Sequence, residues 1–457
     1  MLNFKKGNVS FIVSLLLLLI LFAGLCSISS AANIIYKIFH LNVNNATLDN
    51  VINIFGEPHE TVTGQPNSAE AGTLYDDIGG KTGNYYKLAN WNVRFFLPNY
   101  KVTTLYVTNS KTSGGGSFQS VKPIYSVNAY GDVRWKDLSK LNLFNRKDLI
   151  ASLTFNQQTV WPQSARTSPE NSPEAILNRA KNPGLGVRSL HQQGITGKGV
   201  NVAIIDQPLY LDHPEFAGKI VKYFDTGCNS ENSMHGPAVA SLLVGTNCGT
   251  APGAKIYYAA APSWTGDTTY YAKSLDWIIE QNANLPASEK IRVVSVSAVP
   301  SGPGSPFIKN QQMWDVACAR AERAGILVLD CTLHHGFIGA CWYNTYDPEN
   351  VIKCTPGYPG QPPYSVPGRI LVPASPRTTA EEYNKGKFAY QYTGRGGLSW
   401  TIPYCTGVLA MGWQVNPNLS PRQMCQLLFL SAYVTPRGDN IINPRGFINL
   451  VKKTRAY

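Results

Sequence analysis

The chain has 457 residues, 44% of them hydrophobic and 15% charged, with a formal net charge of +12. That length exceeds one ordinary domain, and the composition excludes a disordered or low-complexity chain. The 40 Lys and Arg are scattered and form no basic run interleaved with aromatics, so nucleic acid is not an expected partner.

The first element is an export segment. Lys5 and Lys6 precede the apolar block Phe11 to Leu25, and Ser30-Ala31-Ala32 fits a signal-peptidase site before Asn33. Residues 1–32 read as a signal peptide, with an uncleaved membrane anchor as the alternative. Both place the rest of the chain outside the cytoplasm, secreted or in the cell envelope. A membrane is a partner only if the segment stays uncleaved.

Residues 33–110 read as a small α+β domain. Leu48, Val51 and Ile54 recur at helical spacing, and Gly56-Glu57-Pro58 ends that helix. Trp91, Val93 and Phe95 then alternate along one strand, and Thr103, Leu105 and Val107 along a second, with Pro98-Asn99 between them. Residues 111–182 read as a linker and possible pro-segment. "NSKTSGGGSFQS" opens it, and Gln163 to Pro173 has the composition of an exposed connector that proteases nick.

From residue 183 short apolar runs alternate with helical patterns: "VNVAIID", "GPAVASLLVG", "AKIYYAAA", "AKSLDWIIEQ", "IRVVSVSAV", "MWDVACARAERA" and "GILVLDC". Near-continuous apolar strands separated by helices predict a parallel sheet covered on both faces, with sites at the carboxyl ends of the strands. Asp206 ends one such strand. His235 stands just before a helix with Pro237 in its first turn, and Ser399 lies in "GLSWTIP", also ahead of a helix. A carboxylate, an imidazole and a hydroxyl at such places are the parts of an acyl-transfer triad. Each alone reads equally as a strand end, a cap or a loop residue.

Several stretches, taken in order, resemble the subtilisin-type (subtilase) serine peptidases. "GITGKGVNVAIIDQPLYLDHPEF" resembles the family's aspartate region and "HGPAVASLLVG" its histidine helix. "GTAPGAKIYYAA" and "VVSVSAV" resemble the two strands that follow, "GLSWTIP" the nucleophile motif, and "INPRGFINL" the terminal segment. The order Asp, His, Ser is that family's order. The resemblance implies a subtilisin-like, doubly wound, mostly parallel α/β sheet with helices on both faces over residues 183–457. It implies an exported serine endopeptidase acting on polypeptides through an acyl-enzyme. In it Asp206 orients the base, His235 is base and then acid, and Ser399 attacks. Ser297, Ala298 and Val299 would pair with the substrate.

The match has departures. Gln207-Pro208 follow the aspartate, and Leu398 and Thr401 replace a Thr and an Ala. Where the family carries an oxyanion-donating Asn, "GILVLDCTLHHG" has His334. The oxyanion hole is then expected from the His334 imidazole and the Ser399 backbone N–H, with His335 or Asn344 as substitutes. The rival reading is a catalytically impaired subtilase fold that binds peptides or regulates another peptidase. A third makes the N-terminal domain a tether to the envelope. Asp330 reads as a buried strand-end group or, alternatively, as a determinant favouring a basic substrate residue.

No cofactor is required. No metal site is expected, because the side chains of neighbours such as His334 and His335 rarely converge on one ion, and no Asp/Asn-rich loop demands calcium. Outside the export segment eight cysteines remain, all after residue 227. An even count in an exported chain suggests disulfides, with Cys228–Cys248 and Cys341–Cys354 as the local candidates.

Overall fold

The computed structural model describes residues 123–455, apart from 229, 231, 365 and 366, and five strands before residue 110. The chain divides into two compact units, Met1–Ser120 and Val121–Tyr457. The first holds an antiparallel sheet of β1 (Leu2–Phe4), β2 (Glu60–Thr63), β3 (Thr82–Leu88), β4 (Trp91–Phe96) and β5 (Thr104–Asn109), in the order β1-β5-β4-β3-β2. The hairpin predicted from period-two alternation is present as β4 and β5, with Val93 opposite Val107 and Phe95 opposite Leu105. The predicted helix around Leu48 to Ile54, and all of the export segment beyond Leu2–Phe4, lie outside the described residues. Among the described residues no helix is long and apolar enough to cross a membrane.

The second unit opens with β6 (Thr154–Asn156), then β7 (Asn201–Asp206), β8 (Ile220–Asp225), β9 (Lys255–Ala260), β10 (Val293–Val296) and β11 (Leu327–Asp330). The last five form one sheet, ordered β11-β10-β7-β9-β8, with every neighbouring pair parallel. Val202, Ala203, Ile204 and Ile205 of β7 are all 0% exposed, so both faces of the sheet are covered. That burial explains the uninterrupted apolar run in the sequence. Burial of each Val or Ile among them contributes roughly 1.5–3 kcal/mol. One face carries Ala203, Ile205, Tyr257, Val294 and Val296 against the helices Thr269–Ala283 and Gln312–Arg323. The helices His235–Val244 and Thr401–Val415 pack against each other and against β7.

A second sheet combines β12 (Ile338–Trp342), β13 (Thr355–Pro356), β14 (Ile370–Ser375), β17 (Tyr433–Val434) and β18 (Asn440–Ile441). Its central pairs β12–β14 and β14–β18 are parallel and its edges antiparallel. The hairpin of β15 (Arg377–Asn384) and β16 (Lys387–Thr393) takes β6 as a third, antiparallel strand. Ala380 of this hairpin donates its N–H to Ser241 Oγ at 2.9 Å, tying the hairpin to the helix that begins at His235. The capping box expected at Ser420 and Gln423 is present at the start of Pro421–Leu430.

One expectation needs correction. Residues 123–182 are part of the folded second unit rather than a linker: Val133, Leu138, Ile150, Phe155, Ile176 and Leu177 build a core with Tyr392 of β16. The Phe155 ring lies 4.8 Å from that of Tyr392 and 5.1 Å from that of Trp161. The segment's apolar residues are too widely spaced for a periodicity to show, and they find their partners some 230 residues later in β16. The cysteines among the described residues stand as free thiols in this structure. Cys341 and Cys354 are hydrogen-bonded neighbours, whereas Cys228 lies beside Asp225 and Cys248 beside Glu215. Burial raises the thiols of Cys228, Cys248, Cys341 and Cys405, and the last three pack as small apolar groups.

Two buried carboxyls on β15 set a pH dependence. Burial pushes Glu381 up to about 7 and Glu382 up to about 8 from an ordinary 4.5. In the folded chain these groups hold their protons where the unfolded chain has lost them. Their effect on stability therefore turns unfavourable as pH rises from about 4.5 and is complete above about pH 8. Glu382→Gln should be more stable relative to the native protein at pH 9 than at pH 5. Thermal unfolding at the two pH values measures it; an unchanged difference would refute the buried, protonated carboxyl.

Candidate active site

Asp206 is the last residue of β7, paired with Ala260 at the carboxyl rim of the first sheet. It is 2% exposed, and its Oδ1 accepts the backbone N–H of Gln207 at 2.8 Å. His235 is the first residue of the helix His235–Val244. Its Nδ1 meets Asp206 Oδ1 at 2.6 Å, and the ring is 8% exposed. A short bond to a buried carboxylate fixes both the orientation of an imidazole and the tautomer with its proton on Nδ1.

Gly236 allows this approach. A Cβ there would stand 2.2 Å from the Gln207 carbonyl oxygen, 2.9 Å from that of Pro208 and 2.7 Å from Tyr258 Oη. Tyr258 donates its hydroxyl to the same Gln207 carbonyl, so the loop after Asp206 is held in place from below. Gly236→Ala is expected to push the helix off this loop and shift His235. Crowding of this kind costs about 1–3 kcal/mol, and a misplacement of roughly 1 Å costs about 100-fold in rate. Denaturation and kcat/KM measure the two effects; native activity in Gly236→Ala would show that helix and loop can part without moving the imidazole.

Ser399 lies in the short turn Leu398–Trp400 that leads into the helix Thr401–Val415. It is half-buried. Gly396 brings this turn against the end of β14, where a Cβ would meet the Ala374 carbonyl oxygen at 2.1 Å. The Ser399 hydroxyl donates to the Ser297 carbonyl at 3.2 Å, and the Ser297 hydroxyl donates back to the Ser399 carbonyl at 2.8 Å. Trp400, fully buried, stacks on His235 with ring centroids 5.3 Å apart. Aspartate, imidazole and serine segments therefore converge at one rim, although 193 residues separate Asp206 from Ser399. The Trp400 contact was not foreseen: its position in "GLSWTIP" carries no pattern that distinguishes a stacking ring from a core one.

Ser297 follows β10 directly and is buried, with Ala298 and Val299 half-buried beyond it. The Ala298 carbonyl accepts the N–H of Cys331, which joins this segment to the loop after β11. That loop carries His334, whose Nε2 lies 3.1 Å from Asp315 Oδ1 and 3.3 Å from Ser301 Oγ. Asn344 Oδ1 accepts the N–H of Tyr346 in a local turn. Asp330 is 1% exposed; it accepts the Trp314 indole N–H at 2.8 Å and the Thr332 N–H and hydroxyl at 2.9 and 2.6 Å. It is a buried strand-end group.

The rim thus holds a buried Asp–His pair next to the segment that carries Ser399, on an α/β fold with a parallel sheet. Residues 197–332 match the model of the Subtilase family. The matched stretch includes Asp206 and His235 and ends before Ser399. The chain is 26% identical over 264 residues to the extracellular serine proteinase of Thermus sp. (strain Rt41A), covering 55% of this chain and 58% of that protein. It is 24% identical over 287 residues to serine protease AprX of Bacillus subtilis (strain 168), covering 52% and 62%. The chain thus spans about three-fifths of the length of these relatives. A solved cold adapted subtilisin-like serine proteinase has a TM-score of 0.39 and 21% identity, covering 54% of this chain and 88% of that one.

Proposed function

We propose that the chain is an exported serine endopeptidase that hydrolyses polypeptides through Asp206, His235 and Ser399. The observation that carries this reading is the 2.6 Å bond between buried Asp206 and His235, with the His235 ring stacked on the residue next to Ser399. Attack requires the Ser399 hydroxyl to leave the Ser297 carbonyl and turn toward His235, a rotation about one side-chain torsion. His235 then takes its proton, the serine oxygen bonds to the scissile carbonyl carbon, and the proton passes to the departing amine. Water attacks the acyl-enzyme by the same route in reverse.

The backbone N–H of Ser399 would meet the oxyanion. His334 would be the second donor only after releasing Asp315 and Ser301, which its Nε2 engages. An extended peptide would lie along Ser297, Ala298 and Val299. Export through residues 1–32 fits the extracellular site named for the Thermus relative. In that oxidising setting Cys341 and Cys354 are the pair placed to cross-link.

A fluorophosphonate probe tests the reading. The native chain should be labelled with one probe per chain and Ser399→Ala should not be. Folded native protein that resists the probe would favour a peptide-binding protein on the same fold.

A further inference from the structure

The helix Gln312–Arg323 and the loop after β11 bring three ligand groups together away from Asp206 and His235. One ligand atom each from Asp315, His334 and His335 lies within 4.8 Å of the other two. Two of the separations are 3.1 Å, from Asp315 to His334, and 3.6 Å, from Asp315 to His335. An ion with four ligands at roughly 2.0–2.1 Å needs them about 3.3 Å apart, so the set is already near that spacing. Neighbouring side chains usually diverge. Here a tight turn, closed by the Gly336 N–H on the Thr332 carbonyl, folds the two imidazoles to one side with ring centroids 4.0 Å apart.

The second nitrogen of His335 strengthens the case. Its Nδ1 is buried without a hydrogen-bond partner and lies 3.6 Å from Asp330 Oδ2. A few tenths of an ångström would convert that approach into a hydrogen bond. A carboxylate behind an imidazole, with the far nitrogen facing the ion, is how metal-binding histidines are oriented and made more basic.

We propose that Asp315, His334 and His335 form a binding site for a divalent transition ion of the zinc class, backed by Asp330, with water as the fourth ligand. Two imidazoles and one carboxylate suit zinc, copper or nickel; calcium and magnesium demand oxygen ligands. The site lies outside the proposed triad, and an ion on His334 Nε2 would exclude that nitrogen from the oxyanion hole, leaving the Ser399 backbone N–H there. It would join the helix Gln312–Arg323, the loop 331–336 and, through Ser301, the segment that follows β10. Those pieces flank the proposed peptide-binding segment, so the ion would hold its wall rather than take part in bond cleavage. Cys318, one helical turn after Asp315, lies near Asp330 and His335 and marks the inner boundary of the site.

Chelator-treated full-length protein, titrated with zinc chloride in a calorimeter, should bind one ion per chain. His334→Ala and His335→Ala should each weaken binding by at least about 100-fold, and Asp330→Asn by about 10- to 100-fold, with far-UV circular dichroism unchanged. His235→Ala should bind as the native chain does. Cobalt should give the visible absorption of a four-coordinate site, and excess calcium should not displace it. Absence of stoichiometric binding by the folded chain, or unchanged affinity in the His334→Ala/His335→Ala double variant, overturns the proposal and leaves the cluster as an ion-pair network. Because the readout is binding, the result is independent of whether Ser399 acts as a nucleophile.

Discussion

Ser399→Ala is expected to lower peptide hydrolysis by about a million-fold while leaving the chain folded, since removal of a triad serine has an effect of that order. The stability cost should be small. The hydroxyl makes one bond, to the Ser297 carbonyl at 3.2 Å, worth about 0.5–1.5 kcal/mol. Asp206→Asn should cost about 10⁴-fold, because an amide facing Nδ1 no longer holds the imidazole in its accepting tautomer. Ser297→Ala discriminates between the two serines that face each other. Its hydroxyl is spent on the Ser399 carbonyl, so its loss should perturb the rate far less than loss of the Ser399 hydroxyl. The measurement is kcat/KM on an unstructured protein substrate for all three variants. Ser399→Ala within about tenfold of native would end the nucleophile reading.

The second large effect falls on stability. Asp330→Ala should cost roughly 2–6 kcal/mol, at about 1–3 kcal/mol for each of two buried donors left unsatisfied. Its two oxygens accept three hydrogen bonds, and their removal leaves the Trp314 indole N–H and the Thr332 N–H facing an apolar interior. Trp314 is itself fully buried in the core beneath β10 and β11. Asp330→Asn keeps one acceptor and should cost less. Urea denaturation of the second unit reads the cost. A side-chain survey with peptides varying the residue before the cleaved bond should show no change in any preference for basic residues, because the carboxylate is engaged internally. Loss of such a preference would restore Asp330 as a specificity group.

Much of the central sheet was legible because parallel strands buried on both faces leave near-continuous apolar runs, as β7 and β9 do. Asp206 and His235 were legible for the same reason: one ends such a run and the other opens a helix beside it. Contacts across long sequence distance were not. His334 was expected as an oxyanion donor from its register alone, yet its partner Asp315 lies 19 residues earlier on a helix. Only the packing of that helix against β11 brings them together. The adjacency of His334 and His335 argued for diverging rings until the turn at Thr332 to Gly336 was in view. The cysteines argued for a covalent framework by count and compartment, whereas burial treats several of them as small core residues.

The incorporation of β6 beside β16 changes what a cut between Gln163 and Pro173 would accomplish. Severing the backbone there would not release the preceding piece, because Phe155 stays wedged against Tyr392 and β6 stays hydrogen-bonded to the hairpin. The nicked product would run as two polypeptides once denatured and as a single particle in native solution. Maturation at that site would amount to scission without departure.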